Sequence, residues 1–401
     1  MKKFNVPNIY KSEMLSNLKQ QRKLSDPLKK DYQPSKLVFK HIEFYIARHF
    51  GFCYGVENAI EIAFQAIEKE KHKNIYLLSE MIHNPQVNHD LQALGIKFIQ
   101  DTDEKTIISW DELSSQDIVI IPAFGTSIET ERILKEKGVD FITYNTTCPF
   151  VEKVWNRSAQ ISVKGFTLLI HGKPSHEETR ASFSHIKEHS PVLIIKDINE
   201  AKILGECILN DSDTDIIRNV FKNRYSQGFD FINDLKKIGV VNQTTQLAFE
   251  TVAISQYLKK IMQEKYGEEN ISEHFADTKD TLCYATNDNQ TAVWELVKQP
   301  ADCAFVIGGA KSSNTSHLVE ICEQKLPTYF IENEESILED GSILHINWIN
   351  KEKKYINNIL PKTRPLKILI TSGASCPDAI VERVIYKLNA LAEIQSSQIN
   401  N

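Results

Sequence analysis

The amino-acid sequence predicts an α/β protein built from three related modules. Its 401 residues exceed the usual size of one domain, and its 41% hydrophobic and 25% charged content is ordinary globular usage, which excludes collagen-like or wholly disordered classes. Short apolar runs alternate with helix-like periodic segments, a pattern typical of α/β folds. Three of the helix-like segments directly follow a cysteine, and this recurrence predicts three modules.

Eight short apolar runs predict buried strands, because polar or turn-forming residues bound each of them. In chain order they are 75–78, 118–123, 166–170, 192–195, 238–241, 304–309, 329–331 and 366–371. None approaches the ~18 consecutive apolar residues that a membrane helix requires. We therefore expect a soluble protein.

The predicted helices begin after Cys53, Cys148 and Cys283. In the first, apolar residues recur from Val56 at i, i+3, i+4, i+7 and i+11, which places them on one face of a helix. A polar loop follows a strand 28 to 30 residues after each cysteine, and a junction rich in small or hydroxyl residues follows later. The polar loops begin at His83, His176 and Ser312, and the junctions are 125–127, 243–245 and 373–375.

This repeat defines the expected domain organisation. We predict a basic extension over residues 1–45, modules over 46–147, 148–280 and 281–375, and a C-terminal segment over 376–401. A charged, strand-poor stretch near 205–237 is interpreted as a surface insertion. Ligand groups gather at the carboxyl ends of strands in open α/β sheets, so three modules facing one axis would bring their cysteines and loops together.

Charge is segregated along the chain. Residues 1–40 contain ten Lys or Arg and three acidic residues, a charge of +7, whereas the net charge of −6 leaves −13 for the remainder. This balance argues against nucleic-acid binding. The arm lacks the apolar core of a secretory signal and the composition of a transit peptide. We expect a cytoplasmic protein whose arm is a solvated extension packed partly on the body, or alternatively a targeting or partner-binding segment.

Seven cysteines without a C-x-x-C pair argue against a disulfide framework, a zinc ribbon or a thioredoxin-like motif. A thiolate before a helix N-terminus is expected to have a lowered pKa and to suit metal binding. Three such thiolates, at 53, 148 and 283, could hold three irons of a cubane cluster and leave one iron open. Cys207, Cys303 and Cys322 are interpreted as structural, and a ligand role for Cys376 stays open on spacing alone.

The polar loops predict an anion site and a proton donor. Small and hydroxyl residues at 311–314 and 373–375 let backbone N–H groups approach a phosphate, and His83 and His176 can add donors. A carboxyl in a closed pocket, such as that of Glu177 or Glu178, can act as a general acid. Thr244 could orient that proton.

Eight short motifs containing these residues are the most specific feature of the sequence. They are Gly51-Phe52-Cys53-x-Gly55-Val56, Ile82-His83-Asn84, Thr147-Cys148-Pro149, His176-x-Glu178, Gln243-Thr244-Thr245, Cys283-Tyr284-Ala285-Thr286, Ser312-Ser313-Asn314 and Gly373-Ala374-Ser375-x-Pro377-Asp378. In order and spacing they resemble the 4-hydroxy-3-methylbut-2-enyl diphosphate reductase family, the last enzyme of the non-mevalonate isoprenoid route. The resemblance spans residues 46–390 approximately.

The resemblance implies a three-module α/β trefoil around a [4Fe–4S] cluster held by Cys53, Cys148 and Cys283, with one iron free of cysteine to bind the C4 oxygen of the substrate. It implies reductive loss of the C4 hydroxyl to give isopentenyl and dimethylallyl diphosphates plus water. Glu178, aided by Thr244, would protonate the departing hydroxyl. The residues implied to hold the diphosphate are His83, His176, Ser312, Ser313, Asn314 and Ser375. The open iron also makes Cys376 a neighbour of the site rather than a ligand.

Two features depart from the shorter bacterial pattern. Phe124 stands where many bacterial members have a histidine, so one expected diphosphate donor is missing. The basic arm also has no counterpart in that form. Both features resemble the subgroup found in cyanobacteria and plastids.

Two other functions remain compatible with the residues themselves. A zinc-dependent hydrolase or phosphotransferase could use the same Cys, His and Glu side chains, and a non-enzymatic iron–sulfur sensor could use the thiols alone. The reductase requires electrons from outside, and the sequence contains no flavin or nicotinamide fingerprint. A ferredoxin- or flavodoxin-like donor is therefore expected, with no nucleic-acid or membrane partner.

Overall fold

Helices and short strands alternate along the chain, as the sequence predicts. The computed structural model describes residues 4–276, 278, 281–357, 359–361 and 365–399. The strands are β1 (Ser35–Val38), β2 (Ile42–Ile46), β3 (Ile75–Leu77), β4 (Lys97–Phe98), β5 (Ile118–Ile120), β6 (Thr167–His171), β7 (Val192–Ile195), β8 (Ile238–Asn242), β9 (Phe275–Ala276), β10 (Cys303–Ile307), β11 (Thr328–Ile331), β12 (Ile343–Ile346), β13 (Lys353–Ile356) and β14 (Leu366–Ser372).

The α-helices include one directly after each of the three predicted cysteines. They are α1 (Glu13–Ser25), α2 (Tyr54–Lys69), α3 (Pro85–Ala93), α4 (Ile128–Lys137), α5 (Pro149–Ser162), α6 (Glu177–Lys187), α7 (Ile198–Asn210), α8 (Asp215–Val220), α9 (Ala248–Tyr266), α10 (Ile271–His274), α11 (Tyr284–Leu296), α12 (Ser313–Glu323) and α13 (Asp378–Ile399). Helices α2, α5 and α11 confirm the predicted starts, and β3, β5, β6, β7, β8, β10, β11 and β14 confirm the eight predicted strands.

The chain divides into two units. The first comprises Met1–Glu61, Ile82–Leu91 and Tyr284–Asn401, and the second comprises Ile62–Met81 and Gln92–Cys283. Among the described residues, no helix combines the length and apolarity needed to cross a membrane.

The first unit contains a five-stranded sheet in the order β1-β2-β14-β10-β11. Strands β2, β14, β10 and β11 are parallel, and β1 is antiparallel to β2. The core of this unit includes Phe44 of β2, Phe305 of β10 and Leu388 of α13. A separate antiparallel hairpin joins β12 and β13.

The basic arm contributes to this first unit. Leu15 of α1 is fully buried in its core, Ser12 caps α1 through its side chain, and β1 extends the sheet at one edge. The packing expected for part of the arm is therefore present. The sequence did not predict β1 and β2, because they are short and carry charged residues between their apolar ones.

The second unit contains two parallel sheets. One has the order β4-β3-β5, and the other has the order β7-β6-β8-β9. Among the described residues, the chain therefore has two wholly parallel sheets and one sheet that is parallel except for its edge strand β1, besides the β12–β13 hairpin. The predicted α/β class is confirmed.

The stretch near 205–237 is not simply a surface insertion. It is poor in strands, as predicted, but Phe221 and Phe231 are fully buried in the same core as Leu204 and Ile254. Its aromatic side chains reach that core from between charged neighbours, a placement that composition alone could not reveal.

Candidate active site

The seven cysteines fall into two groups. Cys53, Cys148 and Cys283 are free and half-buried, and each precedes a helix. The other four are free and buried, and they are Cys207, Cys303, Cys322 and Cys376. The structural interpretation of Cys207, Cys303 and Cys322 is confirmed, and Cys376 lies in the core of the first unit.

Cys53 does not have the lowered pKa expected from its position before a helix. Burial raises the pKa of this thiol, and the N–H groups of Val56 and Gly55, which lower it, do not compensate. The expectation was wrong because desolvation of the thiolate outweighs the helix N-terminus. A coordinated metal cation reverses this balance, since a thiol that binds a metal is deprotonated outright.

The loop before Cys53 is closely packed. Gly51 has a φ of +81°, and a Cβ at this position would overlap the carboxylate of Asp378. Lys19 of α1 donates to both carboxylate oxygens of Asp378 at 2.8 Å and to the carbonyl of Phe50 at 3.1 Å. The arm, the Cys53 loop and the start of α13 are thereby tied together.

Each half-buried cysteine donates its backbone N–H to a carbonyl in or beside a strand-to-loop junction of another predicted module. The bonds run from Cys53 to the carbonyl of Ala374 (3.1 Å), from Cys148 to that of Ala123 (3.0 Å) and from Cys283 to that of Thr244 (3.2 Å). The three cysteines that define the internal repeat therefore make equivalent backbone hydrogen bonds.

The same junction residues also bind the first polar loop of their own module. The backbone N–H of Thr244 donates to Glu178 Oε1 (2.5 Å), that of Ala374 to Asn314 Oδ1 (3.0 Å) and that of Ala123 to the carbonyl of Met81 (3.2 Å). The sequence analysis includes Ala374 in its junction, but it missed Ala123. The signal that could have found Ala123 is its position two residues before the junction that begins at Gly125.

In the second unit, a buried carboxyl and a buried hydroxyl form a pair. Glu178 is 2% exposed and Thr244 is 5% exposed. Besides the backbone bond, Thr244 Oγ1 donates to Glu178 Oε2 at 3.0 Å. Both carboxyl oxygens are therefore held by one residue, whose own carbonyl anchors Cys283.

His176 is held in one orientation beside this pair. Its Nδ1 accepts the backbone N–H of Glu178 at 3.2 Å and so caps α6. In the neutral ring the proton must then be on Nε2, which makes that nitrogen a hydrogen-bond donor. Phe124 packs edge-on against His176, with the ring centroids 5.5 Å apart and the planes at 89°.

The loop that carries Phe124 is itself fixed by α5. Gly125 has a φ of +77°, and a Cβ there would overlap the indole of Trp155. Trp155 stacks on His185 with a centroid distance of 3.7 Å, and its Nε1 donates to Ser182. The Phe124 side chain cannot form a hydrogen bond. Because Trp155 packs against the loop, the Phe124 ring is held where it limits rotation of the His176 ring.

In the first unit, the amide of Asn314 has a defined orientation. Its Oδ1 accepts from the backbone of Ala374 at 3.0 Å and from Asn289 Nδ2 at 3.4 Å. The Nδ2 group is buried and has no partner among the described residues. Such a donor costs about 1–3 kcal/mol unless a ligand accepts from it.

The other predicted diphosphate residues of the first unit are Ser312 and Ser313, which precede Asn314 in the sequence, and the hydrogen-bonded pair Ser375 and His83. Ser312 caps α12 by accepting the backbone N–H of Thr315 at 3.2 Å, which leaves its own hydroxyl proton able to donate. Ser313 is buried. Ser375 Oγ donates to the carbonyl of His83 at 3.2 Å, and both residues are buried.

Hydrogen bonds therefore connect the predicted residues into two local sets. In the first unit, Cys53 and Asn314 meet at the peptide of Ala374, and Ser375 binds His83. In the second unit, His176, Glu178, Thr244 and Cys283 form one chain of contacts. Cys148 is anchored separately, at Ala123.

The fold and these sets define an α/β protein with half-buried thiols at helix starts, a buried acid and polar loops that follow strands. A family model described as LytB protein matches residues 44–389. The chain belongs to this family. A relative from Picosynechococcus sp., named 4-hydroxy-3-methylbut-2-enyl diphosphate reductase, is 38% identical over 350 residues, which cover 87% of this chain and 84% of the relative.

Two solved structures share the fold. One, titled as (E)-4-hydroxy-3-methyl-but-2-enyl diphosphate reductase, the terminal enzyme of the non-mevalonate pathway, is 24% identical with a TM-score of 0.51, over 86% of this chain and 98% of that chain. The other, titled as the E-1-hydroxy-2-methyl-but-2-enyl-4-diphosphate reductase from Plasmodium falciparum, is 21% identical with a TM-score of 0.61, over 86% of this chain and 87% of that chain. The predicted family, fold class and oxidoreductase class are confirmed.

Proposed function

We propose that the chain removes the C4 hydroxyl of (E)-4-hydroxy-3-methylbut-2-enyl diphosphate and releases isopentenyl and dimethylallyl diphosphates, the last step of the non-mevalonate isoprenoid route. Two electrons and two protons enter, the C4–O bond breaks, and the oxygen leaves as water. The observation that carries the proposal is the buried Glu178–Thr244 pair. The carbonyl of Thr244 accepts the backbone N–H of Cys283, one of the three proposed metal ligands.

A [4Fe–4S] cluster fits the three half-buried thiols. Cys53, Cys148 and Cys283 are free, are more accessible than the other cysteines, and each has its backbone anchored to a polar junction. When bound, such a cluster supplies electrons and, at the iron without a cysteine, a Lewis-acid position for an oxygen ligand. The backbone N–H groups near Cys53 would support the thiolate.

The proton donor is assigned to one oxygen of Glu178. Oε1 accepts a backbone N–H, a group that can only donate, so Oε1 must remain an acceptor. When Glu178 is protonated, the proton would reside on Oε2, opposite the Thr244 hydroxyl, which can turn from donor to acceptor. Glu178 would deliver this proton to the departing hydroxyl, either directly or through Thr244 Oγ1. Both residues are buried, so few bulk water molecules can reach the pair.

The diphosphate would be held by donors with fixed directions. These are Asn314 Nδ2 and the Ser312 hydroxyl in the first unit, and His176 Nε2 in the second. His83, Ser313 and Ser375 complete the proposed set. Where many bacterial members have a histidine, Phe124 supplies an apolar contact to His176 instead of a hydrogen bond.

The electrons would come from a ferredoxin- or flavodoxin-like protein, since the sequence has no nicotinamide or flavin fingerprint of its own. The cytoplasm is the proposed location.

The decisive experiment is anaerobic purification followed by visible spectroscopy, iron and zinc analysis, and addition of the hydroxylated allylic diphosphate. We expect a brown protein with about four irons per chain, a spectral change with substrate, and turnover with a chemical reductant. Cys148→Ser should lose the cluster, whereas the matched control Cys303→Ser should keep it. A colourless protein that retains zinc would support the hydrolase, and a coloured protein indifferent to diphosphates would support the sensor.

A further inference from the structure

The basic arm presents an exposed face that the proposed chemistry does not use. Helix α1 and the following turn line a groove of about 680 Å³ with Lys19, Gln20, Lys23, Leu24 and Pro27. Leu24 is 77% exposed, and Leu28, just beyond Pro27, is 73% exposed. Large apolar side chains beside cations are more typical of a binding surface than of a solvated face.

Three lysines of this face keep an unpaired positive charge within the described residues, whereas Lys19 pairs with Asp378. Lys23, Lys29 and Lys30 are exposed, and they form no ion pair within the part of the chain that the structure describes. The nearby acids are engaged elsewhere. Asp31 pairs with Arg22 at 2.9 Å, and Asp26 accepts the backbone N–H groups of residues 30 and 31.

The same acceptor bonds give the face a fixed shape. Asp26 Oδ1 and Oδ2 hold the turn after α1 at 3.1 and 3.0 Å, and Asp26 also lies 3.6 Å from the buried guanidinium of Arg48. The lysines of the turn are therefore displayed from an ordered backbone, which lowers the entropy cost of docking.

The face is continuous with the loop of a proposed cluster ligand. Lys19, which lines the groove, donates to the carbonyl of Phe50, three residues before Cys53, and to Asp378. Its ammonium also lies 4.2 Å from the centroid of the Phe50 ring. A protein that contacts Lys19 in the groove would thus lie one side chain away from the segment that carries Cys53.

We propose that this face, formed by Lys19–Pro27 with Leu28, Lys29 and Lys30, is the docking surface for a small acidic one-electron carrier protein. The proposal rests on the reductase function, which needs two electrons per turnover and hence two successive one-electron deliveries. The distribution of charge along the chain favours an acidic partner at this face. The arm has a charge of +7 and the remainder has −13, so an acidic carrier is attracted to the arm and repelled by the rest of the chain. A small apolar centre with a charged rim suits a transient redox encounter.

The test compares two reductants. The Lys23→Glu/Lys30→Glu double variant is assayed with an acidic [2Fe–2S] ferredoxin kept reduced, and separately with dithionite-reduced methyl viologen. The matched control is Lys259→Glu/Lys260→Glu on α9, which makes the same charge change at exposed positions. We expect the KM for ferredoxin to rise about tenfold or more in the arm variant, with a weaker salt dependence. Turnover with viologen should be unchanged, and the control should behave as wild type.

Several results would overturn the proposal. An unchanged KM for ferredoxin, an equal loss with both reductants, or an equal rise in the control would each do so. Unchanged ferredoxin kinetics combined with lost binding to vesicles containing anionic phosphatidylglycerol would assign the face to a lipid surface instead. Absence of viologen-driven turnover in wild type would refute the reductase function itself, which keeps the two failures distinct.

Discussion

Glu178→Gln removes the acidic proton of Glu178 but keeps its two hydrogen bonds to Thr244. The glutamine carbonyl oxygen can accept the Thr244 backbone N–H that now binds Oε1 at 2.5 Å, and the amide nitrogen can donate to the Thr244 hydroxyl, 3.0 Å from Oε2. Both hydrogen bonds survive because the hydroxyl accepts as well as donates. Loss of stability should therefore stay below about 1 kcal/mol.

Turnover should fall much further than stability. Removal of a general acid typically costs about a hundred- to ten-thousandfold in rate. Thr244→Val is the companion variant, because it keeps the backbone bond to Oε1 and deletes only the bond from the hydroxyl. As the proton leaves, Glu178 becomes a carboxylate, and a hydrogen bond to a charged group contributes about 1.5–3 kcal/mol, which corresponds to about a 10- to 150-fold loss.

The assay is anaerobic turnover of the hydroxylated allylic diphosphate with a chemical reductant, together with the substrate-induced spectral change. Glu178→Gln should bind substrate and keep its iron content while kcat collapses. Unchanged kcat would remove the proton-donor assignment. Loss of cluster or of folding would refute the claim that glutamine preserves both bonds.

Three further predictions concern the surrounding structure. Lys19→Met should lower the free energy of unfolding by about 2 kcal/mol, a value between those of exposed and buried ion pairs, because the side chains of Lys19 and Asp378 are 33% and 17% exposed. Urea unfolding measures this change. A decrease as small as that caused by Lys23→Met would contradict the prediction. Phe231→Ala should cost about 3–5 kcal/mol by cavity formation, whereas a cost near zero would restore the surface-insertion interpretation. In cluster-free protein at pH 8, alkylation followed by mass spectrometry should label the half-buried Cys148 and Cys283 faster than Cys53, whose pKa is raised by burial, and should spare Cys303, whose pKa is raised by burial to about 12. Rapid labelling of Cys303 would refute its assignment to the core.

Local patterns made much of the fold predictable from the sequence. The strand at 192–195 matches β7 residue for residue, and Cys148 directly precedes α5, with Pro149 at its first position. Runs of apolar residues and helix starts are properties of neighbouring residues, so a single sequence reveals them. The boundaries of the three modules stay a prediction.

Pairing between distant segments was not predictable. Strand β2 pairs in parallel with β14, so that Ile46 lies opposite Ile370, and Leu15 of the arm is buried in the same core. Nothing in the local composition of β1 or β2 identifies these partners. Register between segments so far apart depends on which apolar faces meet during folding.

For this protein, the sequence by itself determined the three cysteine–helix units, their polar loops and the family to which the motifs belong, because spacing along the chain encodes them. Only the tertiary structure decided that Thr244 holds both oxygens of Glu178 and anchors Cys283, that Asn314 has a free, directed donor, and that burial raises the pKa of Cys53. Hydrogen-bond direction and desolvation depend on which groups surround an atom in space, and those groups come from segments that the sequence leaves far apart.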